Sequence, residues 1–398
     1  MGNTTMNAIS NLHLRESEVA ATLERICQAL ELTPTEHALA KSRYESVGDW
    51  LAKSDREILR TLVIYPHGSV ALGTTTRPHG KLEHDVDLVS HAPAANADLT
   101  PSELKREIGD RLRANGNYAP ILEEKRRCWR INYANEFHLD ITPTIANPQC
   151  PNGGELVPDK ELRRWKPTHP KGYKLLFDRR AAIQPRLRLM EKALVAKDAA
   201  IDPFPEQLIL KGMLRRIVQI SKRHRDIYFS RLKSALAPIS VVITSLAARS
   251  YEQCVTNNVY TSELQLILRV IRVMPEFIEM STTGGRTTWA VWNETTAGEN
   301  FAEKWNADPA RANAFYEWHA RLISDIERLV DVSGIDQLTK SLKESFGDRP
   351  VETAMTAWHE EVSTARTSRR LSVAGGVGLT TRAGAGTAVR SNTFFGGS

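Results

Sequence analysis

The residues of this sequence that are best suited to chemistry are three aspartates in two apolar, strand-like runs. Asp85 and Asp87 are separated by one residue in the run 84–89, and Asp140 lies inside the run 137–141. Because side chains alternate between the two faces of a strand, Asp85 and Asp87 project to the same side. Two carboxylates this close repel each other unless a cation lies between them, and hard divalent metals prefer such oxygen ligands.

The position of Asp140 favours a metal site over an ordinary polar strand. A lone carboxylate inside an apolar strand is costly to bury. If this strand lies beside that of Asp85 and Asp87, three carboxylates converge, enough for a two-metal centre with ions about 4 Å apart. Such a centre suits phosphoryl-type transfer, which depends mainly on positioning and charge neutralisation. The alternative is a set of aspartates on exposed strand edges that point to water.

A glycine-containing turn precedes the aspartate pair. Gly68 and Ser69 lie in the segment 66–76, directly after a run typical of a strand. Glycine lets the backbone approach a phosphate closely, and exposed N–H groups together with a serine hydroxyl can bind its oxygens. Most Gly-Ser pairs are simple turns, so the evidence lies in the place of this pair before the aspartates.

The order of these motifs is more specific than any one of them. A Gly-Ser turn, an Asp-x-Asp pair about 15 residues later and a third Asp in a following strand resemble the signature of polymerase-β-like nucleotidyltransferases. Within that superfamily the chain is similar, over roughly residues 10–360, to the bacterial cGAS/DncV-like nucleotidyltransferases (CD-NTases). Further stretches that carry the likeness are Leu139-Asp140-Ile141-Thr142-Pro143, Val157-Pro158-Asp159, Pro170-Lys171-Gly172-Tyr173 and Lys222-Arg223-His224-Arg225-Asp226.

The resemblance implies a fold and a set of roles. The fold would be α+β: a polymerase-β-like core, with a mixed β-sheet and flanking helices, and a helical C-terminal lobe across a central cleft. Two Mg²⁺ ions, with Mn²⁺ as a substitute, would be held by Asp85, Asp87 and Asp140. Gly68 and Ser69 would bind the triphosphate of a nucleoside triphosphate. Asp140 would also orient the attacking sugar hydroxyl and accept its proton.

Relatives also hold the triphosphate with a lysine on a helix of the C-terminal lobe and a small polar residue at the next helix start. Lys222 and Ser240 stand at the matching places, and Lys211 is an alternative for the lysine. The basic run that contains Lys222 has a second explanation, because cations at the end of a helix complement its dipole.

The periodicity of apolar residues divides the chain into four parts. We predict an N-terminal helical segment over 1–60 that packs across both lobes, a catalytic core over 61–158, a helical lobe over 159–364, and a disordered basic tail over 365–398. A helix is expected to start at Thr33-Pro34-Thr35-Glu36, and a second one, capped by Ser102, over 101–114. The other predicted strands and helices cover 62–65, 86–89, 129–133, 137–141, 159–165, 170–181, 204–224, 230–253, 260–279, 301–328 and 350–364.

The positive charge is concentrated near the C-terminus. The formal net charge is +6, and the segment 362–398 carries five arginines and no acidic residue, so subtracting five from six leaves +1 for the rest. A nearly neutral body argues against a track for long RNA. The segment ends in Phe394-Phe395-Gly396-Gly397-Ser398. This ending resembles the C-terminus of proteins that are attached by ubiquitin-like conjugation. Many CD-NTase systems encode such a conjugation machinery. The alternative, given equal weight, is a solvated linker.

Other aromatic and histidine residues have weaker signals. Trp165, Tyr173 and Phe177 are candidates for stacking on a base, although aromatic residues at helical spacing are more often core. His84 is a candidate for base contact, whereas His67 and His79 are expected to be polar loop residues. Trp292, Trp305 and Trp318 are expected to pack helices.

The function that follows from the resemblance is the joining of nucleoside triphosphates into a cyclic di- or trinucleotide that activates a separate effector in anti-phage signalling. The alternatives are a linear transferase acting on RNA ends or a small acceptor, and an inactive nucleotide-binding scaffold. Four widely spaced cysteines without a CxxC pair, and the absence of any apolar run of about 20 residues, favour a cytoplasmic protein without a membrane span.

Overall fold

The computed structural model describes residues 2–80, 84–93, 95, 98–134, 137–159, 161, 163–187, 212–374, 378–381 and 387–389. Lys211 and the terminal residues 394–398 lie outside this part of the chain.

The first half of the molecule is built on a mixed sheet. In the described residues its seven strands are β1 (Val63–Pro66), β2 (His84–Ala92), β3 (Leu122–Glu124), β4 (Trp129–Tyr133), β5 (Phe137–Ala146), β6 (Glu155–Pro158) and β7 (Trp165–Thr168). The order is β1-β2-β5-β4-β3, with β6 pairing β5 and β7 pairing β6. Strands β2 and β5 are parallel, and the other neighbouring pairs are antiparallel. The sheet therefore places β2 and β5 side by side at its centre.

One face of this sheet is covered by helices. Burial alternates along β4, where Trp129, Ile131 and Tyr133 face the core. Helix α5 (Pro101–Arg113) packs on that face, and Gly109 lies under the Trp129 ring so closely that a Cβ would overlap it. The helix begins with a capping box formed by Thr100 and Glu103, so the predicted cap at Ser102 was wrong by two residues.

The second half is helical. Its helices are α6 (Pro170–Ala181), α7 (Met213–Ser230), α8 (Ser240–Asn257), α9 (Glu263–Val273), α10 (Glu303–Ala307), α11 (Ala310–Asp331), α12 (Ile335–Phe346) and α13 (Asp348–Thr367). They enclose a core around Phe315 and Trp318 of α11, both fully buried. Among the described helices, none is long and apolar enough to cross a membrane.

The N-terminal helices belong to different cores. Helix α1 (Gly2–Ala29) contributes Leu23 and Ile26 to the core of the helical lobe. Helix α2 (Pro34–Ala52) starts where the sequence predicted a helix, and Thr33 and Glu36 form a capping box there. This helix and the short α3 (Glu57–Arg60) pack against the sheet domain.

The structure corrects the predicted disordered tail over the described residues 365–374, 378–381 and 387–389. Helix α13 continues to Thr367, and strands β12 (Ser372–Ala374), β13 (Gly378–Thr380) and β14 (Thr387–Ala388) form a small antiparallel sheet. Leu371 is buried, and the Thr380 hydroxyl donates to Glu18 on α1 at 2.9 Å. The composition argument failed because strand pairing satisfies the backbone of a segment that has few large apolar side chains.

Two more predictions were wrong. Residues 163–168 contain strand β7 rather than the end of a helix over 159–165. The helix expected over 230–253 begins only at Ser240. Sequence analysis also missed helix α12 and the hairpin of β10 (Glu279–Thr283) with β11 (Arg286–Ala290). A further short parallel pair joins β8 (Arg186–Leu187) and β9 (Val259–Tyr260).

Candidate active site

The parallel pairing of β2 and β5 brings the three aspartates to one face of the sheet. Asp87 lies opposite Asp140 in the ladder, and Asp85 lies opposite His138. Along both strands the aspartates occupy the alternate positions that leave the buried face, whereas Val86 and Leu139 fill the core. The period of two predicted from the sequence therefore puts all three carboxylates on the same side.

An arginine on the next strand contacts two of these carboxylates. Arg130 of β4 is the register partner of Asp140 and donates to both of its oxygens, from Nε at 2.7 Å and from Nη2 at 2.8 Å. Its Nη2 also donates to Asp85 Oδ1 at 3.1 Å. Sequence analysis missed this residue, although an arginine inside an apolar strand signals a nearby anion.

The carboxylates shift one another's ionisation. Burial, followed by the charges of Asp140 and Asp85, raises the pKa of Asp87 to about 6. Burial also raises the pKa of Asp85, and the Arg130 guanidinium opposes that shift. Acidic groups that penalise one another's charge in this way gain from an added cation, which is the electrostatic condition of a divalent-metal site.

The Gly-Ser turn packs directly on the aspartates. Gly68 begins the short helix α4 (Gly68–Leu72) with a φ of +61°, in the left-handed region that favours glycine. A Cβ at this position would overlap Oδ2 of Asp87 and come within 3.1 Å of its Cγ. The backbone N–H of His67 donates to the carbonyl of Asp87 at 2.8 Å. The predicted phosphate-binding turn and the predicted metal ligand are therefore in direct contact.

Lys222 reaches the same place from the helical lobe. Its Nζ is buried and donates to the Thr74 carbonyl at 2.9 Å, just beyond the Gly-Ser turn. Burial, followed by the charge of Arg225, lowers the pKa of Lys222 to about 8, and the negative charge of Asp87 opposes that shift.

Helix α7 is fixed to the loop after the Gly-Ser turn at three points. Gln219 Nε2 donates to the Thr75 carbonyl at 2.9 Å, and Arg223 Nη1 donates to the Arg77 carbonyl at 3.2 Å. These carbonyls lie in a loop and have no partner in a regular strand or helix. The hydrogen bonds from Lys222, Gln219 and Arg223 satisfy them instead. The basic run of α7 therefore joins the two lobes, a role that the sequence did not indicate.

Ser240 is half-buried at the start of α8. Its hydroxyl accepts a hydrogen bond from Arg225 Nη1 at 3.1 Å, and the same nitrogen donates to the Pro238 carbonyl at 2.9 Å. Arg225 in turn pairs with Asp226 at 2.6 Å. The serine is thus held at the helix terminus by a cation, beside the partial positive charge of the helix.

A cavity of about 460 Å³ joins these elements. Gly68, Ser69, Lys222 and Ser240 all line it, whereas the three aspartates stand behind the Gly-Ser turn rather than in its lining. The volume lies in the range of small-molecule sites.

The aromatic candidates have separate places. Tyr173 lines the cavity, stacks edge-on against Phe301 at 5.9 Å, and its hydroxyl lies 2.9 Å from that of Ser245. Phe177 is core, and Trp165 donates to the Leu99 carbonyl at 2.9 Å beside the sheet core.

The three tryptophans that were predicted to pack helices differ in burial. Trp305 and Trp318 are buried as expected. Trp292 is 40% exposed, so that expectation was wrong for this residue.

The histidines also divide. His67 lines the cavity, and burial lowers its pKa. His79 is exposed. His84 is buried outside the cavity lining, so the structure does not bring this candidate for base contact to the nucleotide cavity.

The acidic residues fit divalent cations in chemistry but not in their present side-chain arrangement. Within the described part of the chain, no group of three His, Cys, Asp or Glu side chains is placed to hold a metal ion as it stands. The Arg130 guanidinium contacts both Asp140 and Asp85. Three carboxylates on one face are hard oxygen ligands of the kind that Mg²⁺ prefers.

Comparison with known proteins identifies relatives over nearly the whole chain. Residues 18–180 match the Second Messenger Oligonucleotide or Dinucleotide Synthetase (SMODS) domain. The c-di-GMP synthase of Roseivirga ehrenbergii is 30% identical over 96% of this chain and 98% of its own length. The cyclic dinucleotide synthase CdnG of Bradyrhizobium diazoefficiens is 27% identical over 88% of this chain and 85% of its own length. A solved structure of the B. diazoefficiens CD-NTase CdnG with GTP superposes with a TM-score of 0.65, at 20% identity, over 86% of this chain and 99% of that one.

Proposed function

The chain belongs to the CD-NTase family of nucleotidyltransferases, and from that premise we propose that it joins two molecules of GTP into a cyclic dinucleotide with release of pyrophosphate. The likeness of the fold to CdnG confirms the predicted α+β core with a helical lobe. The names of the two relatives favour a ring of two nucleotides over the trinucleotide that the sequence left open.

The observation that carries this proposal is the placement of Asp87. It lies opposite Asp140 on the neighbouring strand, and its carboxylate fills the space above Gly68 of the phosphate-binding turn. A nucleotide bound at that turn therefore has its phosphates beside the acidic residues.

The roles of the residues follow from this geometry. Asp85, Asp87 and Asp140 would hold two Mg²⁺ ions, with Mn²⁺ as a substitute. The ions would neutralise charge at the transferring phosphoryl group and activate the attacking hydroxyl. Asp140 also orients that hydroxyl of the acceptor and accepts its proton.

The helical wall would bind the rest of the triphosphate. Lys222 supplies a compact cation from a buried position, and Ser240 supplies a hydroxyl at the terminus of an 18-residue helix. Ser69 binds from the opposite side of the cavity through its hydroxyl and the backbone of the turn.

The product, rather than this chain, would bind a separate effector in signalling against phage. Conjugation of the C-terminal residues 394–398 stays a prediction of the sequence. Mass spectrometry after co-expression with a candidate conjugating enzyme would detect the adduct, and its repeated absence would count against the prediction.

The activity is tested by incubating the full chain with each labelled nucleoside triphosphate and Mg²⁺. We expect GTP to give a product that resists phosphatase and that a phosphodiesterase converts to GMP. The double variant Asp85→Asn and Asp87→Asn should remain folded by circular dichroism and lose product by about 10³-fold or more.

Two outcomes would contradict the proposal. Phosphatase-sensitive products, or transfer that requires an RNA or small-molecule acceptor, would indicate a linear transferase. Pyrophosphate release at the wild-type rate in the double variant would refute the assigned metal ligands.

A further inference from the structure

A half-buried carboxylate, that of Glu299, lines the nucleotide cavity and is not used by the mechanism above. Glu299 lies in the loop between β11 and α10, and its side chain is one wall of the cavity. Asn293 Nδ2 donates to its Oε2 at 2.7 Å, and the Thr168 hydroxyl donates to its Oε1 at 3.3 Å. A carboxylate offers about four acceptor sites, so each oxygen keeps a further site for a donor. The fixed carboxylate therefore presents two acceptors side by side.

An unused cation lines the same cavity. Arg127, in the loop between β3 and β4, is half-buried, and its Nε is buried without a hydrogen-bond partner among the described residues. Burial raises the pKa of Glu299, and the hydrogen bonds from Asn293 and Thr168, together with the charge of Arg127, act against that shift. Arg127 therefore brings a positive charge to the wall of the same cavity.

The loop that carries Glu299 is anchored to both walls of the cleft. Glu303, the first residue of α10 directly after this loop, pairs with Lys166 of β7 at 2.9 Å. Phe301 packs edge-on against Tyr173, whose hydroxyl lies 2.9 Å from that of Ser245 on α8. Glu299 is thus held in one rigid cavity with the residues assigned to the triphosphate, rather than on a free surface loop.

We infer that Glu299 and Arg127 recognise the Watson–Crick edge of a guanine base, which makes the site selective for GTP over ATP. Guanine presents two neighbouring donors, N1–H and the 2-amino group, to the two free acceptor sites of Glu299. Its O6 accepts from Arg127, as guanine O6 does from arginines elsewhere. Adenine presents a lone pair at N1 toward the carboxylate and an amino group toward the arginine, so both contacts would be repulsive or lost.

The inference rests on the proposed function for the identity of the substrate, and binding measurements separate the two. Dissociation constants for non-hydrolysable GTP and ATP analogues, and for inosine triphosphate, which lacks the 2-amino group, are measured on the full chain with Ca²⁺ by calorimetry. We expect wild type to prefer the GTP analogue, and Glu299→Gln to lower its affinity roughly tenfold to a hundredfold while ATP binding stays constant or improves. Arg127→Met should lower the same preference.

The inosine comparison distinguishes recognition from a structural role. In wild type, inosine triphosphate should bind more weakly than GTP, and in Glu299→Gln the two should bind alike. Glu294→Gln is the matched control, because Glu294 lies on the same loop but is held by Arg180 and does not line this cavity. That control should lower the melting temperature without changing the ratio of GTP to ATP affinity.

Each outcome has one meaning. An unchanged ratio in Glu299→Gln, or an equal loss for GTP and ATP, overturns the inference even if the chain makes a cyclic product from GTP. A selective loss of guanine binding supports the inference even if no cyclic product forms, in which case the proposed function alone fails.

Discussion

The two walls of the cleft hold their charged groups in different ways. On the sheet wall, three carboxylates are fixed by strand register, with Asp87 directly opposite Asp140. On the helical wall, Lys222 is fixed by a hydrogen bond to the Thr74 carbonyl of the other lobe. The first arrangement follows from local periodicity, whereas the second exists only when both lobes are packed together. The acidic residues are therefore built into one sheet, whereas the cation that faces them depends on the packing of two lobes.

The largest effect of a single substitution is expected at Gly68, where the Gly-Ser turn contacts the sheet. The substitution Gly68→Ala would place a Cβ onto the Asp87 carboxylate at a residue with a φ of +61°. Because a displacement of about 1 Å in a catalytic group can cost 10²-fold in rate, we expect product formation to fall roughly 100-fold.

Gly80→Ala is the matched control for this substitution. Gly80 also has a positive φ, of +82°, but an added Cβ there meets nothing within 4 Å among the residues that the structure describes. Both variants should lose about 1–2 kcal/mol of unfolding free energy from backbone strain. Only Gly68→Ala should lose activity. Equal rates of product formation in the two variants would contradict the role assigned to the Asp87 carboxylate.

The helical wall should show a smaller effect that depends on pH. Burial lowers the pKa of Lys222 to about 8, so the charged form that binds a triphosphate predominates below pH 8 and is lost as the pH rises above it. We expect the dissociation constant for a GTP analogue to increase between pH 7 and pH 9 in wild type. In Lys222→Met, binding of the GTP analogue should be roughly tenfold to a hundredfold weaker at pH 7. Its dissociation constant should then stay constant between pH 7 and pH 9.

The Lys222 experiment also tests the alternative role of the basic run. If Lys222 only ties α7 to the loop, Lys222→Met should lower the melting temperature and leave the pH dependence of nucleotide binding as in wild type. Gln219→Leu, which removes the neighbouring bond to the Thr75 carbonyl, provides the comparison for that structural effect.

These differences explain what the sequence could predict. The sequence could predict the three aspartates Asp85, Asp87 and Asp140, because a strand has a period of two and because the apolar residues around them mark the buried face. The start of α2 was predicted because Pro34 just inside a helix, after Thr33, is a purely local start signal. The structure adds a capping box between Thr33 and Glu36.

The remaining site residues have weaker local signals. Arg130 lies in an apolar strand, which indicates an anion nearby, but only the strand register shows that this anion is Asp140. Glu299 lies in a polar loop without periodicity. The ordered strands after Thr367 escaped prediction for a related reason, since backbone pairing stabilises them more than side-chain composition does.

The proposed metal site on strands β2 and β5 is tested most directly by counting the Mn²⁺ ions that the full chain binds beside a non-hydrolysable GTP analogue. Free Mn²⁺ is followed by electron paramagnetic resonance. We predict two ions per chain in wild type and the loss of at least one in the double variant Asp85→Asn and Asp87→Asn. Wild-type stoichiometry and affinity in that variant would contradict the claim that strands β2 and β5 build a metal site.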